Sequence, residues 1–210
     1  MVRLSTVITR SLVVVAAVLP ASRAVAQNER TGALYRESYA LETKRDYAAA
    51  LALVREARST GGATYFAALR TGWLTYLQGD YAASVAGYTE AVAAEPKAIE
   101  PKLGLTLPLL AQRNWRELER ACSAVLAIDP RNATVLARLG MAQYNAGNFA
   151  GAEGVYRGLT EDYPADLDYK TGLGWALQKL GKKGEARTWF QAVLSVSPDN
   201  VNATAGMSAK

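Results

Sequence analysis

Residues 79–84 read Gly-Asp-Tyr-Ala-Ala-Ser, and residues 147–152 read Gly-Asn-Phe-Ala-Gly-Ala. Arg113-Asn114-Trp115 lies midway between them, Arg45-Asp46-Tyr47 stands the same half-interval before the first, and a degenerate Gly181-Lys182-Lys183 stands as far beyond the last. Three residues beyond the third position of each triplet comes a residue that is usually small: Ala50, Ser84, Leu118, Ala152 or Ala186. Fifteen residues beyond it comes Pro96, Pro130, Pro164 or Pro198, with Gly62 in that place in the first copy. Nine residues before it comes Ser38, Gly72, Thr106, Gly140 or Gly174. A constant interval of about 34 residues, kept without an insertion, marks a stack of like units.

Each part has a physical reason. Glycine accepts the left-handed backbone that ends one helix, and Asp or Asn caps the next. The aromatic residue just inside the second helix joins the two, and small residues on either side let the backbones come close. Proline cannot continue a helical hydrogen-bond ladder and closes the unit. The pattern resembles the tetratricopeptide repeat, which implies an all-α fold: a right-handed superhelix (α-solenoid) of five helix–turn–helix units with the first helix of each pair on the concave wall. The units are then 31–64, 65–98, 99–132, 133–166 and 167–200, after a lead at 27–30 and before a tail or partial cap helix at 201–210. Two departures fall in the third unit. Leu118 replaces a small residue, so that pair should sit wider, and Pro108 interrupts its first helix, with Gly104 expected to ease the bend.

The segment 1–26 reads as an address. Arg3 and Arg10 precede an apolar run at residues 11–21, and Ala24-Val25-Ala26 presents small residues where a signal peptidase requires them. That is the three-part pattern of a secretory signal peptide, cleaved near Ala26, and its apolar run is too short to cross a bilayer, which takes about 20 residues. The expected location is periplasmic or secreted. The chain carries a formal charge of +5, but Arg3, Arg10 and Arg23 sit in this leader, which has no acid. The remaining bases and acids nearly cancel, so the concentrated basic surface that nucleic acid requires is missing.

Residues at i, i+3, i+7 and i+10 share a helix face. On the first helices this face is mostly apolar, and it nominates a groove of Tyr35, Tyr39, Phe66, Leu69, Trp73, Tyr76, Leu107, Met141, Tyr144 and Trp175. Tyr76 and Tyr144 also stand where the resembled repeats place core tyrosines. Trp73 and Trp175 are the expected anchors, because indoles desolvate much area at small entropic cost. Arg36, Arg70 and Arg138 recur in register and are expected at the rim, where they would steer an acidic partner or simply face solvent. The paired Lys and Asn with which some tetratricopeptide repeats hold a C-terminal carboxylate are replaced here by Leu69, Trp73, Leu103 and Leu107.

Catalysis is disfavoured. The sequence has no His, and its one Cys, Cys122, falls on the apolar face that carries Val54, Tyr88, Tyr156 and Phe190 in the other units. A nucleophile with no base to activate it does little chemistry. No cofactor or metal is expected. The reading is a non-catalytic scaffold or assembly factor outside the cytoplasm, binding a protein or peptide segment. Self-assembly into a homo-oligomer ranks second and glycan stacking on the aromatics third.

Overall fold

The computed structural model describes residues 12–209, with side chains from residue 25 on. The start of the expected export signal, residues 1–11, lies outside the described residues. Eleven α-helices and no strand make up the described part: α1 (Leu12–Thr43), α2 (Tyr47–Ser59), α3 (Thr64–Leu77), α4 (Tyr81–Ala94), α5 (Glu100–Ala111), α6 (Trp115–Leu126), α7 (Ala133–Asn145), α8 (Phe149–Asp162), α9 (Leu167–Lys179), α10 (Lys183–Val196) and α11 (Val201–Ser208). The expected lead at 27–30 is a continuous part of α1 rather than a separate segment. No helix among the described residues is long and apolar enough to cross a membrane.

The turns follow the local chemistry. Gly79, Gly147 and Gly181 take φ of 80°, 86° and 76°, and in the two copies that begin with arginine, Arg45 and Arg113 are held at 63° and 54°. The side chains of Asp46, Asp80 and Asn148 accept hydrogen bonds from the N–H groups of Ala49, Ala83 and Gly151, which caps α2, α4 and α8. Asn114 makes no such bond. A second set of caps is not evident from the repeat pattern: Asn132, Asp166 and Asn200 do the same for the first helices α7, α9 and α11. Pro96, Pro164 and Pro198 each follow a helix end within two residues, but α6 already stops at Leu126, well before Pro130.

Each helix packs on the next, and α3, α5, α7 and α9 also touch one another in sequence. Odd-numbered helices therefore form a continuous inner wall, and even-numbered helices back it. The core is a row of clusters built on Val54 and Leu74, on Leu118 and Val125, and on Leu173 and Phe190. The α5–α6 pair is the least closely packed of the five, in keeping with the fully buried Leu118 between its helices. Pro108 leaves α5 unbroken from Glu100 to Ala111. Gly104 is explained differently from the expectation: a Cβ there would stand 2.3 Å from the Tyr88 ring, so the missing side chain makes room for that ring.

That contact belongs to a longer rule. Tyr88 lies between Gly72 of its own unit and Gly104 of the next, Tyr156 between Gly140 and Gly172, and Phe190 between Gly174 and Gly206. Where the second helix carries Val54 or Cys122 instead, the corresponding neighbours are Ser38 with Arg70 and Thr106 with Arg138. In those units the arginine reaches back to the hydroxyl, Arg70 Nη2 to Ser38 Oγ at 3.3 Å and Arg138 Nη1 to Thr106 Oγ1 at 2.5 Å. Close packing leaves few voids, so a ring flanked by glycines and a small side chain flanked by a hydroxyl and an arginine are alternative fillings of one space. From the first unit to the fourth they alternate, so the structure repeats every second unit although the sequence motif repeats in each.

Candidate peptide-binding groove

The inner wall carries two open cavities. One, of about 260 Å³, is lined by Met141, Tyr144, Tyr156, Gly172 and Trp175. The other, of about 430 Å³, includes Trp73, Tyr88, Gly104 and Leu107, with Ile99, Leu103, Thr134 and Arg138 around them. Met141, Tyr156, Gly172 and Trp175 occupy, two units later, the positions of Trp73, Tyr88, Gly104 and Leu107. The cavities are therefore one feature built twice, where a tyrosine from a backing helix meets the wall at a glycine of the next first helix.

Their floors are buried and polar at one point. Tyr88 is 3% exposed and Tyr156 8%, yet both line the cavities, and neither phenol makes a hydrogen bond among the described residues. Burial pushes both phenols up to about 12, so each is a neutral hydroxyl at physiological pH. Sequence reasoning puts these two tyrosines on the buried face and misses their part in the groove. A signal is present all the same, since Gly104 and Gly172 lie one turn before Leu107 and Trp175 on the apolar face of their helices.

Trp73 is half-buried. Its indole Nε1 donates to Glu42 Oε1 at 2.7 Å, and its ring stacks on Tyr76 with centroids 5.9 Å apart. Trp175 is also half-buried, edge-on to Phe190 at 5.5 Å. Met141 is exposed, and Tyr144 beside it closes against Phe149 at 5.5 Å. Leu69 is half-buried and lies outside the three core clusters, while Tyr39 is exposed under the Arg70 guanidinium. Tyr35 departs from expectation: its ring meets Phe66 edge-on at 4.8 Å and packs with the first core cluster, and its hydroxyl is buried without a partner among the described residues. It and Phe66 form a junction between units, since the α2–α3 turn at Gly62 closes over the Tyr35 hydroxyl.

The three arginines separate. Arg36 is exposed, as a rim residue would be. Arg70 is not at the rim: it is 5% exposed, with Nη1 on Glu42 Oε2 at 2.5 Å and its Cζ 3.9 Å from the Tyr39 ring centroid. The space left beside Val54 draws it inward, and Glu42 neutralises it there. Arg138 is half-buried and lines the larger cavity instead of edging it. Cys122 lies beneath the wall, fully buried, its thiol pushed up to about 11 by burial, and is therefore protonated at neutral pH. Among the described residues no group of His, Cys, Asp and Glu side chains is arranged to hold a metal ion.

Comparison with known proteins agrees with this architecture. Residues 109–166 and 137–203 match the tetratricopeptide repeat family model. No curated protein matches the sequence. Among solved structures, a tetratricopeptide repeat protein from Parabacteroides merdae superposes with a TM-score of 0.77 at 17% identity, covering 86% of this chain and 72% of that one. YrrB, described as a TPR protein with an unusual peptide-binding site, gives 0.78 at 15% identity over 90% of this chain and 97% of its own. MamA from Desulfovibrio magneticus RS-1, from residue 41 to its end, gives 0.75 at 16% identity over 82% and 97%. At such identities the likeness is one of fold. Residues 109–203 thus match tetratricopeptide repeats in sequence, and the helices before them continue the same fold.

Proposed function

We propose that this chain is a non-catalytic protein-binding scaffold that holds an extended segment of a partner along its inner wall. The observation that carries the reading is the duplicated cavity. Two apolar recesses of the same construction, each floored by a tyrosine hydroxyl without a partner, suit a ligand that repeats an apolar anchor along its length. Neighbouring packed helices lie about 8–10 Å apart, so the recesses are separated by about 20 Å, or about six residues of extended chain. The peptide-binding site for which YrrB is described lends support by analogy of fold. A photo-crosslinking residue at Met141 should yield adducts of discrete, heterogeneous mass in cells of origin, while the same residue at exposed Arg55 on α2 should not. Equal labelling at both positions overturns the groove, and adducts only of doubled mass point to self-assembly instead.

The same proposal places the protein outside the cytoplasm, cleaved near Ala26. Its support is the pattern of residues 1–26, with Arg3 and Arg10 ahead of the apolar run and Ala24-Val25-Ala26 at its end. Gln27, whose amide donates to the Thr60 carbonyl, and Arg30, which pairs with Glu56 at 2.8 Å, tie α1 to α2 and its C-terminal end. Cleavage before Gln27 leaves both contacts intact. Mass spectrometry of the protein from its native host should find a new N-terminus close to Gln27, and an intact Met1 refutes export by cleavage.

A further inference from the structure

Arg70 and Arg138 occupy the same register position, two units apart, in surroundings that differ in two respects. Arg70 has a hydroxyl from Ser38, a carboxylate from Glu42 and a ring face from Tyr39. At the corresponding positions Arg138 finds Thr106, Leu110 and Leu107. The hydroxyl contact is kept, at 2.5 Å from Nη1 to Thr106 Oγ1, and the counter-ion and the ring are gone. That bond is the only one its guanidinium makes among the described residues, and no carboxylate there stands close enough to pair with it.

A guanidinium has five N–H donors, and a desolvated cation without an anion is costly to keep. Burial already lowers the Arg138 pKa, and the nearby Cys122 thiol, itself pushed up to about 11 by burial, is protonated at physiological pH and supplies no counter-charge. Its surroundings are the larger cavity, between Trp73, Leu103, Leu107 and Thr134. Glu100 lines the same cavity but bonds with the Tyr65 hydroxyl at 3.3 Å.

We infer that Arg138 is a carboxylate-binding site, and that the partner segment carries an aspartate or glutamate side chain between its apolar anchors. This rests on the protein-binding reading above and names the chemistry of the partner. One carboxylate fits better than a phosphate, because the site offers a single cation to neutralise it. An internal side chain fits better than a chain end, because α7 borders both cavities and the wall continues on either side of Arg138. The ligand places its carboxylate where Glu42 stands against Arg70.

Selection of displayed random dodecapeptides on the purified chain tests this, with affinities of the winners followed by tryptophan fluorescence. Enriched peptides should share an internal Asp or Glu flanked by apolar residues. Arg138→Met, or the matching Glu→Gln in the peptide, should each weaken binding by about tenfold or more, and together by no more than either alone. Should Arg138→Met fail to fold, Leu110→Glu gives Arg138 an internal partner and should cause the same loss. Peptides that bind through the groove, lost on Met141→Asp but indifferent to Arg138→Met and Leu110→Glu, overturn the carboxylate site and leave the groove standing. Peptides that bind only with a free C-terminus overturn the internal placement. If no peptide is enriched, or binding ignores every one of these substitutions, the groove reading itself fails.

Discussion

Gly104→Arg and Tyr88→Val should each destabilise the protein by about 3 kcal/mol, the first by forcing bulk into a filled space and the second by emptying it. Made together, they should recover at least half of the summed loss. The pair converts a ring flanked by glycines into the valine-and-arginine filling that Val54 and Arg70 already use one unit earlier. The argument rests on distance. A Cβ on Gly104 would lie 2.3 Å from Tyr88 Cε1, inside contact range, and the ring is held on its other side by Gly72, where a Cβ would lie 2.8 Å from Cγ. Even Gly104→Ala should therefore destabilise, although alanine favours a helix over glycine by about 1 kcal/mol. Urea denaturation followed by circular dichroism measures the four corners of the cycle. A coupling of about 3 kcal/mol is expected, at the upper end of the range for residues sharing a cavity. Losses that simply add would show that ring and arginine are not alternative fillings.

Truncation after Asn200 should lower stability by a similar amount, about 3 kcal/mol, through loss of the apolar cover that α11 provides. Residues 201–208 carry two buried positions, Ala203 and Gly206, and both sit in the last core cluster or against it. Gly206 lies so close to the Phe190 ring that a Cβ would meet Cζ at 2.3 Å. Gln178 Nε2 donates to the Ala209 carbonyl at 3.2 Å and ties the helix end to α9. Without α11 a phenylalanine ring that is now fully buried faces water, and burying such a side chain is worth about 1.5–3 kcal/mol before its neighbours are counted. The truncated chain should also self-associate through the bared face, which light scattering would register. An unchanged unfolding midpoint would falsify the stabilising cover that α11 gives Phe190.

The repeat was legible because its determinants are local. Gly79 and Gly147 supply the left-handed turn, Asp80 and Asn148 cap the second helices, and the constant interval between copies needs no knowledge of spatial neighbours. The apolar wall was legible for the same reason, and Trp73, Leu107, Met141, Tyr144 and Trp175 do line or stack beside its cavities. Tyr35 and Phe66 were placed on the right helices but meet each other in a junction between units. Face arithmetic treats a helix as a cylinder, and it cannot tell a wall residue that looks outward from one on which the next unit closes.

The arginines show where that arithmetic stops. By register Arg36, Arg70 and Arg138 are equivalent, and the sequence alone determined that equivalence, together with the helices, the turns and the order of the stack. Tertiary structure decided that Arg36 meets solvent, Arg70 meets Glu42 and Arg138 lines a cavity without a counter-ion among the described residues. The physical reason is that helix and turn are set by neighbours in the chain, whereas the environment of a long charged side chain is set by the volume left by residues of the adjoining unit. Val54 and Cys122 leave that volume, Tyr88 and Tyr156 fill it, and only the packed stack brings each of them against its partner across the unit boundary.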